Sequence, residues 1–138
     1  MKARSSVYWL TTALLTFGVV SGGVAELVRV KGNVDGILRL GYPLYFITLL
    51  GVWKVLGGIT IAVPRFPRLK EWAYAGIFFN MTGAVVSHIA SGDNPIRIIA
   101  PATFVLFTLL SWGLRPQSRV VGQVTRSSEE PQASATAA

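Results

Sequence analysis

Four apolar runs, each about 20 residues long, divide this chain, and that is the length a helix needs to cross the hydrocarbon of a bilayer. They run from Val7 to Leu27, Leu44 to Val63, Lys70 to Ser91 and Pro95 to Leu114. Proline suits the first turn of a helix and stops one at its end, so Pro43, Pro64, Pro95 and Pro116 mark boundaries. Pro101 lies inside the fourth run and is expected to kink it. The chain has 138 residues, 51% hydrophobic and only 14% charged. A soluble domain carries about 25% charged residues, and one of this size cannot hide so much apolar surface. The expectation is an all-α, integral membrane four-helix bundle over residues 1–115. A disordered tail, rich in Ser, Gln, Ala and Thr, is expected over 116–138. The first run also has the outline of a secretory signal, with a basic start and small residues at Ser21, Gly22, Gly23 and Ala25. Its apolar stretch is long for a signal, and removing it would leave three spans.

The third run is the most patterned. At 100° per residue, Ala73, Gly76, Asn80, Gly83, Ala84, Ser87 and Ser91 fall on one side of a helix. Tyr74, Phe78, Met81, Val85 and Ile89 fall on the other. Small and polar stripes let membrane helices approach closely, so the expectation is that the stripe packs inward and the bulky back meets lipid.

Loop charge sets orientation. Lys2, Arg4, Arg65, Arg68, Lys70, Arg115, Arg119 and Arg126 share one side, and Arg29, Lys31, Arg39 and Arg97 share the other. Eight against four puts both termini in the cytoplasm. The loop from Val28 to Pro43 is the longest between spans, and its VDGILRLGYP end reads as a short interfacial helix with Ile37, Leu38 and Leu40 toward lipid. The net charge of +7 is spread between apolar runs rather than gathered on one face, so it does not point to nucleic acid.

Candidate binding residues are few. Lys54 stands near mid-span, where an ammonium is disfavoured by about 3 kcal/mol on insertion scales. Ile47, Leu50, Gly51, Gly58 and Ile61 share its face, and the glycines mark that face as the buried one. It either binds an anion, a polar headgroup or a proton-linked group, or it is tied into the bundle by carbonyls and a nearby amide. Asn80 lies at the same depth, beside Lys54, and reads either as part of that pocket or as an interhelical hydrogen bond. Glu26 and His88 lie at the outer ends of their spans and are expected to meet as a carboxylate–imidazole pair. The alternative is that Glu26 reaches interfacial water and His88 is simply packed. Glu71 reads as a first-turn carboxylate at a positive helix end.

Catalytic constellations are missing. There is no cysteine, which excludes thiol catalysis and thiolate metal sites within this chain, and one histidine cannot supply paired haem ligands. No GxGxxG, phosphate loop or GxSxG is present. No metal ligands and no catalytic residues are therefore assigned.

The segments GYPLYF (Gly41 to Phe46), LGVWKVLGGITIAVPRFPRLKEWAYAG (Leu50 to Gly76) and FNMTGAVVSHIASGD (ending at Asp93) resemble the DoxX-like family of small bacterial membrane proteins. The resemblance spans Val7 to Leu114 and implies a four-helix bundle in a bacterial inner membrane. It implies no agreed catalytic residues. Some relatives are linked to quinone-coupled sulfur oxidation or to oxidative-stress complexes, as subunits or partners. The resulting expectation is a non-catalytic membrane subunit that binds quinone or lipid and has a redox partner protein. A homo-oligomer is compatible with it. The competing expectation is a small permease-like protein that moves an amphiphile.

Overall fold

A computed structural model describes residues 2–122. Its long helices are α1 (Lys2–Leu27), α3 (Leu44–Ala62), α4 (Pro67–Ala90) and α5 (Ile96–Gly113). A short α2 (Lys31–Arg39) lies between the first two, and a single 3-10 turn (Gln117–Arg119) follows α5. All four long helices are long and apolar enough to cross a membrane. α1 packs on α3, α3 on α4, α4 on α5 and α5 back on α1, which makes an up-down four-helix ring.

The tightest seam is α1 against α3. A Cβ on Gly23 would stand 2.9 Å from the carbonyl oxygen of Gly51, and one on Gly51 would stand 2.8 Å from that of Gly23. Only glycine permits backbones this close, which is how membrane helices gain contact without a hydrophobic drive. The same seam buries Ile47, Gly51, Gly58 and Ile61 of α3, the face that carries Lys54, and leaves Tyr45, Leu49, Val52 and Leu56 outward.

α4 is turned the other way from the sequence expectation. Its bulky side packs inward: Tyr74, Ile77 and Met81 join Leu15, Val19 and Ile61 in the core. Apart from Ala73, which rests against the core, the small stripe faces away from it, and nothing stands within 4 Å of a Cβ placed on Gly76 or Gly83. A polar tie explains the choice. Tyr74 OH and Thr12 Oγ1 each lie 2.7 Å from the buried Ser111 Oγ, joining α4, α1 and α5 at one level. An unpaired hydroxyl is costly in hydrocarbon, and this cluster satisfies three of them together, which favours this rotation of α4.

The ends are closed by local chemistry. Lys70, expected as a loop charge, is 1% exposed and donates to the carbonyls of Thr60, Ile61 and Val63. These are the carbonyls that the C-terminus of α3 leaves without helical partners. Glu71 sits past the first turn, because α4 begins at Pro67, and it pairs with Arg115 Nη1 at 2.6 Å and accepts from Trp112 Nε1 at 2.8 Å. α5 continues through the buried Pro101. Residues 116–122 of the expected tail fold back on the bundle, where Arg119 stacks over Trp9. The remainder of that tail, 123–138, lies outside the described residues.

Candidate functional site: a side groove between two spans

The outward stripe of α4 and the neighbouring face of α3 enclose a groove of about 730 Å³. Its α4 wall is Ala73, Gly76, Asn80, Gly83, Ala84 and Ser87, and its α3 wall includes Leu50, Trp53, Lys54, Gly57 and Thr60. Ile37 and Leu40 of α2 close one end, and Leu38 between them is exposed as a lipid-facing residue would be. Trp53, Leu56, Trp72 and Phe79 line the groove while remaining more than half exposed, so it opens sideways, toward where lipid lies around a membrane bundle. The groove exists because small residues line one side of α4 and that side was left unpacked.

Lys54 and Asn80 both line this groove. Lys54 Nζ makes an ion pair with Glu26 Oε1. A helical side chain leans toward its own N-terminus, so Lys54 on α3 leans toward the same end at which α1 finishes with Glu26. The pair is incompletely used. An ammonium has three donors, and one goes to Glu26. Glu26 Oε2 is buried without a partner. The Asn80 amide has no hydrogen-bond partner among the described residues, so the expected interhelical bond is not made. At the end of the groove nearest α2, Tyr42 OH meets Ser87 Oγ at 2.7 Å and the Tyr42 ring stacks on Phe46 with centroids 4.7 Å apart.

The expected Glu26–His88 pair does not form. α1 and α4 stand diagonal in the ring, and the Glu26 face of α1 is held on α3 by the glycine seam. His88 instead bonds Asp93 Oδ2 at 3.0 Å, a local contact made by the turn that ends α4. Gly92 takes the left-handed conformation there, with φ 61°, and the Asp93 N–H returns to the His88 carbonyl. Asp93 also holds Arg97, with Nε 3.3 Å from Oδ1. The Asn94 backbone N–H, with His88 and Arg97 nearby, holds the Asp93 carboxyl below its usual range.

Sequence reasoning missed the roles of Tyr42 and Lys70. Nothing in the period of α2 points to Tyr42. Lys70 carried a weak signal, since it falls one turn into a helix that follows a tight, proline-bounded turn. Among the described residues no three His, Asp or Glu side chains gather as a metal site would require.

These features define a multi-pass helical membrane protein with a side groove that holds one buried ion pair at its wall. Residues 10–111 match the model of the DoxX-like family, and the chain belongs to that family. No curated protein matches the chain. No solved structure matches it.

Proposed function

We propose that this protein is a non-catalytic membrane subunit that holds an amphiphile with a carbonyl-bearing or polar head, of the quinone or lipid type, in the groove between α3 and α4. The observation that carries the reading is the pairing of an apolar, laterally open slot with two unspent hydrogen-bonding groups, Lys54 and Asn80, on its facing walls. An apolar cleft with a few placed polar groups is the usual form of a small-molecule site. The slot fits a planar quinone ring: Gly76 and Gly83 leave open space along the α4 wall, and Trp53 and Trp72 flank the opening. A head carbonyl would accept from the two remaining Lys54 N–H groups or from the Asn80 amide. The apolar lining supports a resident amphiphile better than passage of a polar solute.

The loop charges favour both termini in the cytoplasm, and the family's bacterial setting favours the inner membrane. Any redox chemistry would belong to a partner protein, because this chain has no cysteine and a single histidine.

The test is purification in mild detergent followed by mass spectrometry of bound quinones and lipids. Lys54→Met combined with Glu26→Gln keeps length, removes the donor and leaves no unpaired buried charge. Gly83→Leu fills the groove from a position with nothing within 4 Å. Both variants should insert and fold, and both should lose the molecule that wild type retains. Folded variants that keep every co-purifying small molecule would end this reading.

A further inference from the structure

A second groove, of about 510 Å³, lies between α1 and the end of α3, and Arg119 stands at its mouth. Trp9, Ala13, Phe17 and Val20 make it apolar. We propose that it seats an acyl chain of one anionic phospholipid whose phosphate is held by Arg119. Two independent observations carry this, and a third feature marks how deep the groove runs.

The first is the state of the guanidinium. Its central carbon lies over Trp9, 4.9 Å from the ring centroid, and Nη1 alone makes hydrogen bonds, to Tyr8 OH at 3.3 Å and to the Ile61 carbonyl at 3.4 Å. Those contacts are long, and they leave most of a five-donor planar fork unused. Such a fork, already fixed in place by an aromatic face, is suited to two-pronged binding of phosphate oxygens.

The second is charge. At this end of the bundle the described residues carry seven cations, from Lys2 to Arg119, against one carboxylate, Glu71. Glu71 is taken by Arg115, and Lys70 is consumed by the carbonyls of α3. Arg119 therefore has no acidic partner among the described residues, in a field that favours an anion.

The third lies deeper in the groove. Thr16 lines it, and Thr16 Oγ1 is buried without a partner. Thr11, Thr60, Thr82, Thr103 and Thr108 all bond back to the carbonyl four residues earlier, as helical threonines in membranes do. Thr16 makes no such bond. It lies about 10 Å along α1 from Trp9, at 1.5 Å per residue, near the middle of the span. That is the depth at which the acyl chain of a lipid held at Arg119 runs, so Thr16 marks the floor of the groove and makes no headgroup contact.

The experiment is native mass spectrometry of the full chain in detergent, titrated with phosphatidylglycerol or phosphatidylcholine of matched chains. Wild type should retain one phosphatidylglycerol preferentially. Arg119→Gln should weaken that retention about tenfold, as loss of a charge-assisted bidentate contact does, without changing phosphatidylcholine binding. Arg119→Lys, which keeps the charge and loses the fork, should fall between. Thr16→Val, at acyl-chain depth, should leave the preference for phosphatidylglycerol unchanged. Thermal unfolding of each variant separates lost binding from lost folding. Equal retention of the two lipids by wild type, or a folded Arg119→Gln that still prefers phosphatidylglycerol, overturns the proposal. Free inorganic phosphate competing as well as the lipid would also overturn it, because the groove would then contribute nothing. Preference that appears only when Glu129 and Glu130 are both changed to Gln would assign Arg119 to the chain's own acidic tail instead, and would likewise overturn it.

Discussion

At the scale of single residues, the buried cations do different work. Lys70 is a structural cap. It satisfies three carbonyls at the C-terminus of α3 while being itself almost wholly buried. Lys70→Met should destabilise the protein by about 3 kcal/mol, because it leaves buried acceptors without a donor. Denaturant unfolding in mixed micelles checks this, and an unchanged midpoint would mean that the carbonyls are served otherwise. Lys54 has one partner and spare donors, but Lys54→Met alone leaves the buried Glu26 carboxylate unpaired and should also destabilise the fold. Lys54→Met with Glu26→Gln should cost ligand rather than fold. Asp93 differs again, since it lies in a turn outside the spans. Its carboxyl is held below the ordinary value of 3.8, chiefly by the Asn94 N–H. The unfolded chain then binds the proton more readily, so this contribution to stability is complete above that value. It disappears as pH falls through the lower folded value. Hydrogen-exchange protection at Ser91 to Asn94, taken relative to the intrinsic rate at each pH, should therefore fall in acid below about pH 4. Asp93→Asn should show low protection at all pH values, with no acid transition.

At the scale of helices, contact between α1 and α3 depends on a glycine pair. A side chain at Gly23 would meet the Gly51 carbonyl and the Lys54 Cβ, both at 2.9 Å. Neither is the loose end of a flexible chain, so the helices must part. Gly23→Val should cost about 2 kcal/mol, in the range of overpacking changes, and should also disturb the Glu26–Lys54 pair that lies beside the seam. Gly83→Leu, of similar added bulk, should be nearly neutral for stability, because its position opens on the groove. Thermal melts of the two variants side by side distinguish a packing glycine from a groove glycine. Equal losses would show that the α4 stripe packs on protein after all.

At the scale of the whole molecule, charge is segregated. Four helix ends carry Lys2, Arg4, Arg65, Arg68, Lys70, Arg115 and Arg119 together, while the opposite ends carry Arg29, Lys31, Arg39 and Arg97. On the rule that basic loops stay in the cytoplasm, cysteines introduced at Ser6 should react with reagents supplied from the cytoplasm, and cysteines at Asn33 and Ser91 only with reagents from outside. The chain has no natural cysteine, so single replacements report cleanly. Labelling of Asn33→Cys from the cytoplasm would invert the topology.

Composition and run length were enough to specify four apolar helices in a membrane, because each span's length is set by the bilayer and its ends by proline. The buried face of α3 was legible too, since Gly51 and Gly58 share a side with Lys54 and that side does pack on α1. The rotation of α4 was not. Its small side and its bulky side were both plausible inward faces, and the sequence pattern favoured the small one. What decided it was a contact between distant parts of the chain: Tyr74 meets Ser111 and Thr12 inside the bundle, and satisfying those hydroxyls outweighed close packing of the stripe. The pairing of Glu26 with Lys54 was hidden for the same reason. Depth along a helix is readable from spacing, but which helices become neighbours, and how each is turned, is settled only when polar groups find partners in three dimensions.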